Sequence, residues 1–258
     1  MSYPDIKVTF LGTGTSSGVP MIGCSCEVCT SSDKHDKRLR SSILVQSAHT
    51  NIVVDAGPDF RYQMLRSGIK WLDAVVFTHP HKDHVAGLDD VRGFNYFMRK
   101  PMEIYGNEMT LEVIIREFPY AFTEKKYPGA PNIHLNTIST QPFQINDLVI
   151  TPVLVWHLQM PVLGFRFGKF TYITDANRIE DNSKALIEGS EVLVLNALRK
   201  EKHISHFSLS DAIAEVQALE IPTAYFTHIS HQLGKHADIN PELPTGIQLA
   251  YDGLSLSL

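Results

Sequence analysis

At 258 residues the chain can bury one large core, and 43% hydrophobic and 20% charged residues with a net charge of -5 are ordinary values for a soluble globular protein. That balance argues against a protein that grips nucleic acid through a basic face, and no apolar run approaches the roughly 18 residues of a membrane span. The start, MSYPDIKVTF, lacks the basic, apolar and small-residue regions of a signal peptide, so the expected compartment is the cytoplasm and the expected organisation one domain over 1–258.

In chain order, IKVTFLGTG reads as a strand running into a glycine turn, and all three cysteines follow within GVPMIGCSCEVCTSS (18–32). An odd, clustered set cannot cross-link distant segments, so Cys24, Cys26 and Cys29 resemble three-quarters of a metal site more than a disulfide framework. Three reduced thiols are the competing reading. The mixed-charge run SSDKHDKRLRSS (31–42) reads most simply as a solvated loop. SILVQSAHTNIVVDAG predicts two strands around a polar turn, PDFRYQMLRSG a helix closed by glycine, and LDAVVFTH a buried strand.

A helix is expected over 85–100, with FNYF (94–97) as core or pocket wall. The strand MEIYG and a helix over 110–118 come next, then an irregular stretch over 120–132. Strands return in LVITPVLVWH, VLGFRFG and FTYITDA, with Gly168-Lys169 as a hairpin turn. RIEDNSKALIEGS and SLSDAIAEVQALE predict helices, the second capped by Ser208 or Ser210. EVLVLNAL and TAYFTH predict strands, and GIQLAYDGLSLSL a hairpin at Asp252-Gly253. A β-meander followed by mixed strands and helices, with the mixture repeated, fits two sheets face to face with helices outside, an α/β fold of four layers.

The chemistry concentrates in THPHKDHVAGL: His79, His81, Asp83 and His84 form H-x-H-x-D-H directly after a buried strand. Imidazole and carboxylate suit divalent transition metals. Residues two apart point the same way in an extended segment, so His79 and His81 can share one ion while Asp83 and His84, past the turn, share a second. A merely histidine-rich solvated loop explains this density poorly. Further ligands are expected at other strand ends, where His157, Asp175 and His228 are each the first polar or charged group that a β run delivers. Asp175 is the natural bridge, since one carboxylate can bind two cations. Asp55, ending NIVVDAG, is expected to orient a ligand histidine or a turn rather than bind metal. Gly12-Thr13-Gly14 is a weak phosphate signal and is as well explained by close backbone packing.

The H-x-H-x-D-H motif and the ordered later His, Asp and His resemble the metallo-β-lactamase superfamily, which implies an αββα sandwich with a dinuclear site between its sheets. GTGTSSGVPMIGCSCEVC near the start and THISHQ near the end are similar to the phosphoribosyl 1,2-cyclic phosphodiesterases of the carbon-phosphorus lyase pathway. The resemblance implies a metal-dependent phosphodiesterase that opens a small cyclic phosphodiester with a hydroxide held between two divalent ions, zinc or manganese. It carries His206, in HISHFSLSDA, over as the group that contacts the phosphate or leaving oxygen, with a non-catalytic helix-entry histidine as the plain alternative. Asp83 would combine metal binding with proton shuttling. It also assigns His231 as the fourth ligand of one structural zinc with Cys24, Cys26 and Cys29, and implies a possible homodimer. The expected partner is a small phosphodiester rather than nucleic acid or membrane. RNA-processing ribonucleases that mature the 3′ end of transfer RNA, and thiolester hydrolases, use the same ligands and are the competing activities.

Overall fold

Val8 and Phe10 are buried on one face of the first strand, β1 (Lys7–Gly12), whereas β2 (Ser42–Gln46) and β3 (Asn51–Val54) are buried on both faces apart from Gln46. Strands covered on both sides require a layer above and a layer below. In this computed structural model, which describes residues 3–125 and 127–258, those layers are a second sheet and a set of helices. The first sheet continues through β4 (Ala74–Val76), β5 (Met102–Gly106) and β6 (Ile133–Thr137). The second comprises β7 (Phe143–Ile145), β8 (Leu148–His157), β9 (Met160–Phe167), β10 (Phe170–Tyr172), β11 (Val192–Asn196), β12 (Thr223–Thr227) and β13 (Ile247–Leu249). The last strand, β14 (Ser255–Ser257), returns to pair with β1, giving two seven-stranded sheets.

Between the sheets, Phe10, Ile43 and Val54 pack with Phe165, Phe170 and Tyr172. On the outer face of the first sheet lie α1 (Phe60–Ser67), α2 (Lys82–Val85), α3 (Arg92–Met98) and α4 (Glu108–Glu117), with Phe60, Met64, Val85, Leu111 and Ile114 in one buried cluster. On the second sheet, α5 (Asp181–Ile187), α6 (Leu209–Ala218) and α7 (His236–Ile239) bury Ile187, Ala212, Val216 and Ile239. This αββα order matches the expected fold class. Strands β3 to β6 run parallel, as do β10 to β13. Loops at the carboxyl ends of parallel strands are where open α/β sheets build sites. Among the described residues no helix is long and apolar enough to cross a membrane.

Three expectations require correction. The helix over 85–100 is broken into α2, a 3-10 turn (Leu88–Val91) and α3. The break follows from Gly87, where a Cβ would lie 1.9 Å from the Gly57 carbonyl, so the chain must press onto that loop and turn there. FNYF does supply a pocket wall, since Phe94 and Phe97 line a cleft with Phe60, Met64 and Ile69 and Phe94 packs on the buried cluster, while Tyr96 is 77% exposed. The final stretch is not a hairpin: β13 pairs with β12 in the second sheet and β14 with β1 in the first. Asp252 holds the crossover, accepting from the Thr13 amide and hydroxyl and from the Leu39 amide. Nor is 31–42 wholly solvated, because Asp36 and Arg38 are buried and Arg38 donates to Thr13 Oγ1 and the Ala250 carbonyl.

The remaining helices end as their sequences ask. Gly68 closes α1 at φ 72° with its amide on the Met64 carbonyl, and Ser208 with Asp211 forms a reciprocal capping box on α6. The short edge strands β6 and β7 were not expected, and Lys126, within the irregular stretch, lies outside the described residues.

Candidate metal centre

Three strand ends deliver a site residue through a left-handed backbone: Asp55 at φ 66°, Asp175 at φ 53° and His228 at φ 56°. For non-glycine residues this conformation costs of order 1–3 kcal/mol each and persists only when the surroundings over-determine it. Here the surroundings are close hydrogen bonds from neighbouring loops. The effect is to turn each side chain out of its strand and across the gap between the sheets.

All seven expected ligands of the dinuclear centre converge. Asp83, His84, Asp175 and His228 each place a ligand atom within 4.8 Å of the others, and His79, His81 and Asp175 do the same. The motif thus divides between two clusters, Asp83 with His84 and His79 with His81, with Asp175 common to both. His157 forms a third such group with Asp175 and His206, so His206 stands against the cluster itself.

The outer hydrogen bonds fix which ring nitrogens face inward. Asp55, fully buried, accepts from the Thr78 amide and hydroxyl at 2.9 and 2.8 Å and from His84 Nδ1 at 2.7 Å. Because the Thr78 hydroxyl donates to Asp55, its oxygen accepts from His79 Nδ1 at 2.9 Å. Both histidines are thus held with Nε2 turned into the cluster, and among the described residues neither of these buried Nε2 atoms has a hydrogen-bond partner. His157 donates through Nδ1 to the Ser205 carbonyl at 2.7 Å, which leaves its Nε2 free as well. Buried lone pairs of this kind are costly unless something binds them, and inward Nε2 atoms beside carboxylates fit divalent cations.

Charge follows the same geometry. Burial opposes the imidazolium form of His84, but Asp175, Asp55 and Asp83 outweigh it and hold this group well above the usual histidine range. Burial would raise Asp175 and Asp83, yet the adjacent histidines keep both below the usual carboxylate range. Without a cation, a proton on His84 therefore neutralises part of the carboxylate charge, and binding an ion there would displace it. Burial, reinforced by His228, pushes His206 down to about 3, so its ring is neutral at pH 7.

Cys24, Cys26, Cys29 and His231 also come within 4.8 Å of one another, with His231 Nδ1 3.5 Å from Cys24 Sγ and 3.3 Å from Cys26 Sγ. Backbone amides of Met21 and Cys29 point at Cys29 Sγ and Cys26 Sγ. Three thiols and one imidazole match the ligand set of closed zinc sites.

Several contributing residues were not anticipated. Thr15 Oγ1 lies 3.2 Å from His228 Nε2, and Ser41 Oγ 3.3 Å from its Nδ1. Thr78 was legible in principle: a threonine precedes the site residue in FTH, ITD and FTH, and the Thr78 and Thr174 hydroxyls both bond into the site. Gly57 is a further one, since a Cβ there would meet the Asp83 carbonyl at 1.9 Å. The Gly12 and Gly14 turn packs against the Arg40 and Arg38 carbonyls, which supports close backbone packing over a phosphate cradle.

Comparison with known proteins places this geometry. Residues 50–229 match the family model for the β-lactamase superfamily domain. The crystal structure of a diphosphatase from the PhnP family superposes with a TM-score of 0.92 at 41% identity, covering 98% of each chain. The octanoyltransferase of Porphyromonas gingivalis is 37% identical over 96% of this chain, which spans only 51% of that protein's length. A ribonuclease Z of a Bradyrhizobium species is 29% identical over 60% of the chain and 48% of its own.

Proposed function

The chain belongs to the β-lactamase superfamily as a PhnP-like member, and from that premise we propose that it is a metal-dependent hydrolase that opens a small cyclic phosphodiester. The observation that carries this reading is Asp175, one buried carboxylate shared by two clusters of inward-facing histidines and a third containing His206. Two divalent ions bound there would lower the pKa of water and clamp the oxygens of a phosphoryl group.

The protein's own groups account for the rest. Asp55 and Thr78 hold His79 and His84 in one tautomer, so the ligand nitrogens need no reorganisation. In hydrolysis a water oxygen adds to phosphorus, the ring P–O bond breaks, and the leaving oxygen takes a proton. His206 is neutral and its buried Nδ1 has no partner among the described residues, so the ring can meet a phosphoryl or leaving oxygen by a hydrogen bond rather than as a cation. Asp83 stays ionised beside His84, which suits a carboxylate that binds an ion, and its place at the cluster suits it to pass on a proton there.

Hydrolysis of bis-p-nitrophenyl phosphate should appear with manganese, nickel or zinc and fall at least about a thousandfold in Asp83→Ala. No turnover with any of the three metals would sink the proposal. An RNA-processing activity is the second reading, favoured by the likeness to ribonuclease Z, and precursor transfer RNA as substrate separates the two. The cysteine cluster we read as a structural zinc site, supported by its Cys3His donor set and the amides directed at sulfur.

A further inference from the structure

Two loops meet at the group formed by His157, Asp175 and His206. His157 ends β8, and Leu158 and Gln159 form the turn into β9, with His157 paired to Met160. His206 lies in the loop between β11 and α6, its ring 4.5 Å from that of His157 and 4.9 Å from that of His228. The ends of that loop are pinned, since the Leu198 amide donates to the Phe207 carbonyl and the Phe207 amide to that of Ala176. Apolar packing does not extend the restraint between them: Ile204, in the loop, is 73% exposed and Leu158, in the turn, 52%.

Asn177 stands between the two loops, just past Asp175 in the chain. Its Oδ1 accepts from the Leu158 amide at 2.8 Å, and its Nδ2 donates to the Ile204 carbonyl at 2.9 Å. Its own amide donates to the Trp156 carbonyl and the Trp156 amide to that of Arg178, so the carboxamide projects from backbone already fixed against β8. Leu158 is left-handed at φ 59°, a conformation that favours glycine, and the bond to its amide helps to hold it there. Among the described residues, two hydrogen bonds reach the 203–206 stretch from outside its loop: Asn177 to the Ile204 carbonyl, and His157 Nδ1 to the Ser205 carbonyl. The second comes from a ring that is itself part of the site. The first ties the stretch to the frame independently of any expected metal ligand. A carboxamide suits both ends of this bridge, because it carries an acceptor and a donor on one rigid plane.

We infer that Asn177 is a positioning residue: by bridging the turn after His157 and the loop before His206, it sets the separation of the two rings and holds His206 where it meets the substrate. The inference rests on the phosphodiesterase reading, in which His206 meets a phosphoryl or leaving oxygen. Asn177 itself touches neither substrate nor metal, and its effect passes through His206. A displacement of about 1 Å at such a group is enough to cost roughly a hundredfold in rate.

The test is a double-mutant cycle on the metal-loaded full chain, with 2′,3′-cyclic AMP and bis-p-nitrophenyl phosphate as substrates. Asn177→Ala should lower kcat about ten- to a hundredfold and change KM less than about threefold. Asn177→Asp should fall as far, because a carboxylate still accepts from the Leu158 amide but has no proton to donate to the Ile204 carbonyl. Wild-type kcat in that variant would overturn the bridge. In a His206→Ala background, Asn177→Ala should change kcat less than about twofold, since the group it positions is gone. A fall by the same factor in both backgrounds would show a general structural role and overturn the assignment, as would an unchanged kcat in Asn177→Ala alone. If wild type hydrolyses neither substrate with manganese, nickel or zinc, the hydrolase reading fails separately, and hydrogen exchange then judges the bridge. Amides over 203–206 that exchange faster in Asn177→Ala than in wild type support it, and equal rates refute it.

Discussion

Asp55 shows how much a single residue outside the ligand set can control. Its carboxylate is fully buried, accepts three hydrogen bonds, and through them fixes the rings of His84 and His79. Asp55→Asn keeps the size but replaces one acceptor oxygen with an NH2 donor, so at least one of these bonds must break. Affinity for the active-site ions should fall about 10- to 100-fold, as is usual when an outer partner of a ligand histidine is lost. Competition against a chromogenic chelator measures this, and unchanged affinity would contradict the positioning role. The orienting role of Asp55 was legible from its place at a strand end. Thr15 and Ser41, which touch His228, were not, because a threonine in a glycine-rich turn and a serine at the end of a charged run carry no pattern that separates turn chemistry from site chemistry.

At the scale of elements, the loop after β1 and the segment after β12 meet twice. The Thr15 amide donates to the Ile229 carbonyl and the Ile229 amide to that of Thr13, while Cys24 and Cys26 lie against His231. A zinc ion there would tie the β1 loop to the segment that carries His228. Purified protein should retain zinc after the weaker ions are chelated, and Cys26→Ser should lose it together with thermal stability, because binding energy at a structural site is also folding energy. Zinc content unchanged in that variant would refute the site. Strand positions were readable here because each apolar run ends in a polar residue at one edge. The helix over 85–100 was misread because apolar spacing gives no sign that Gly87 must approach Gly57.

Across the whole molecule, the buried polar knot around Arg38 joins segments far apart in sequence. Arg38 Nη2 lies 3.3 Å from His236 Nδ1, the His236 amide donates to Asp36, and the His236 ring packs near His35 and Tyr251. Burial, and next the Arg38 charge, hold His236 down at about 4, against the ordinary value of 6.5, despite the opposing carboxylates of Asp33 and Asp36. Between these values the unfolded chain binds a proton that the folded chain refuses. The stabilisation is therefore complete above about pH 6.5 and lost as pH falls toward about 4. Melting temperature should drop over that window, and the drop should be shallower in His236→Gln. Identical slopes would show that another group controls it.

The candidate ligand cluster was readable in the sequence, because metal chemistry needs imidazole and carboxylate in dense, locally spaced groups and an apolar strand must end where its polar residues begin. His79, His81, Asp83 and His84 lie within six residues, so no long-range information was needed to group them. Tertiary structure alone decided what lies between distant segments. It sends β13 and β14 to different sheets, buries Arg38 within a charged run, and brings Thr15 and Ser41 onto His228. Those outcomes depend on which segments pack together, and a lone arginine or aspartate carries no periodic signal of its eventual neighbour.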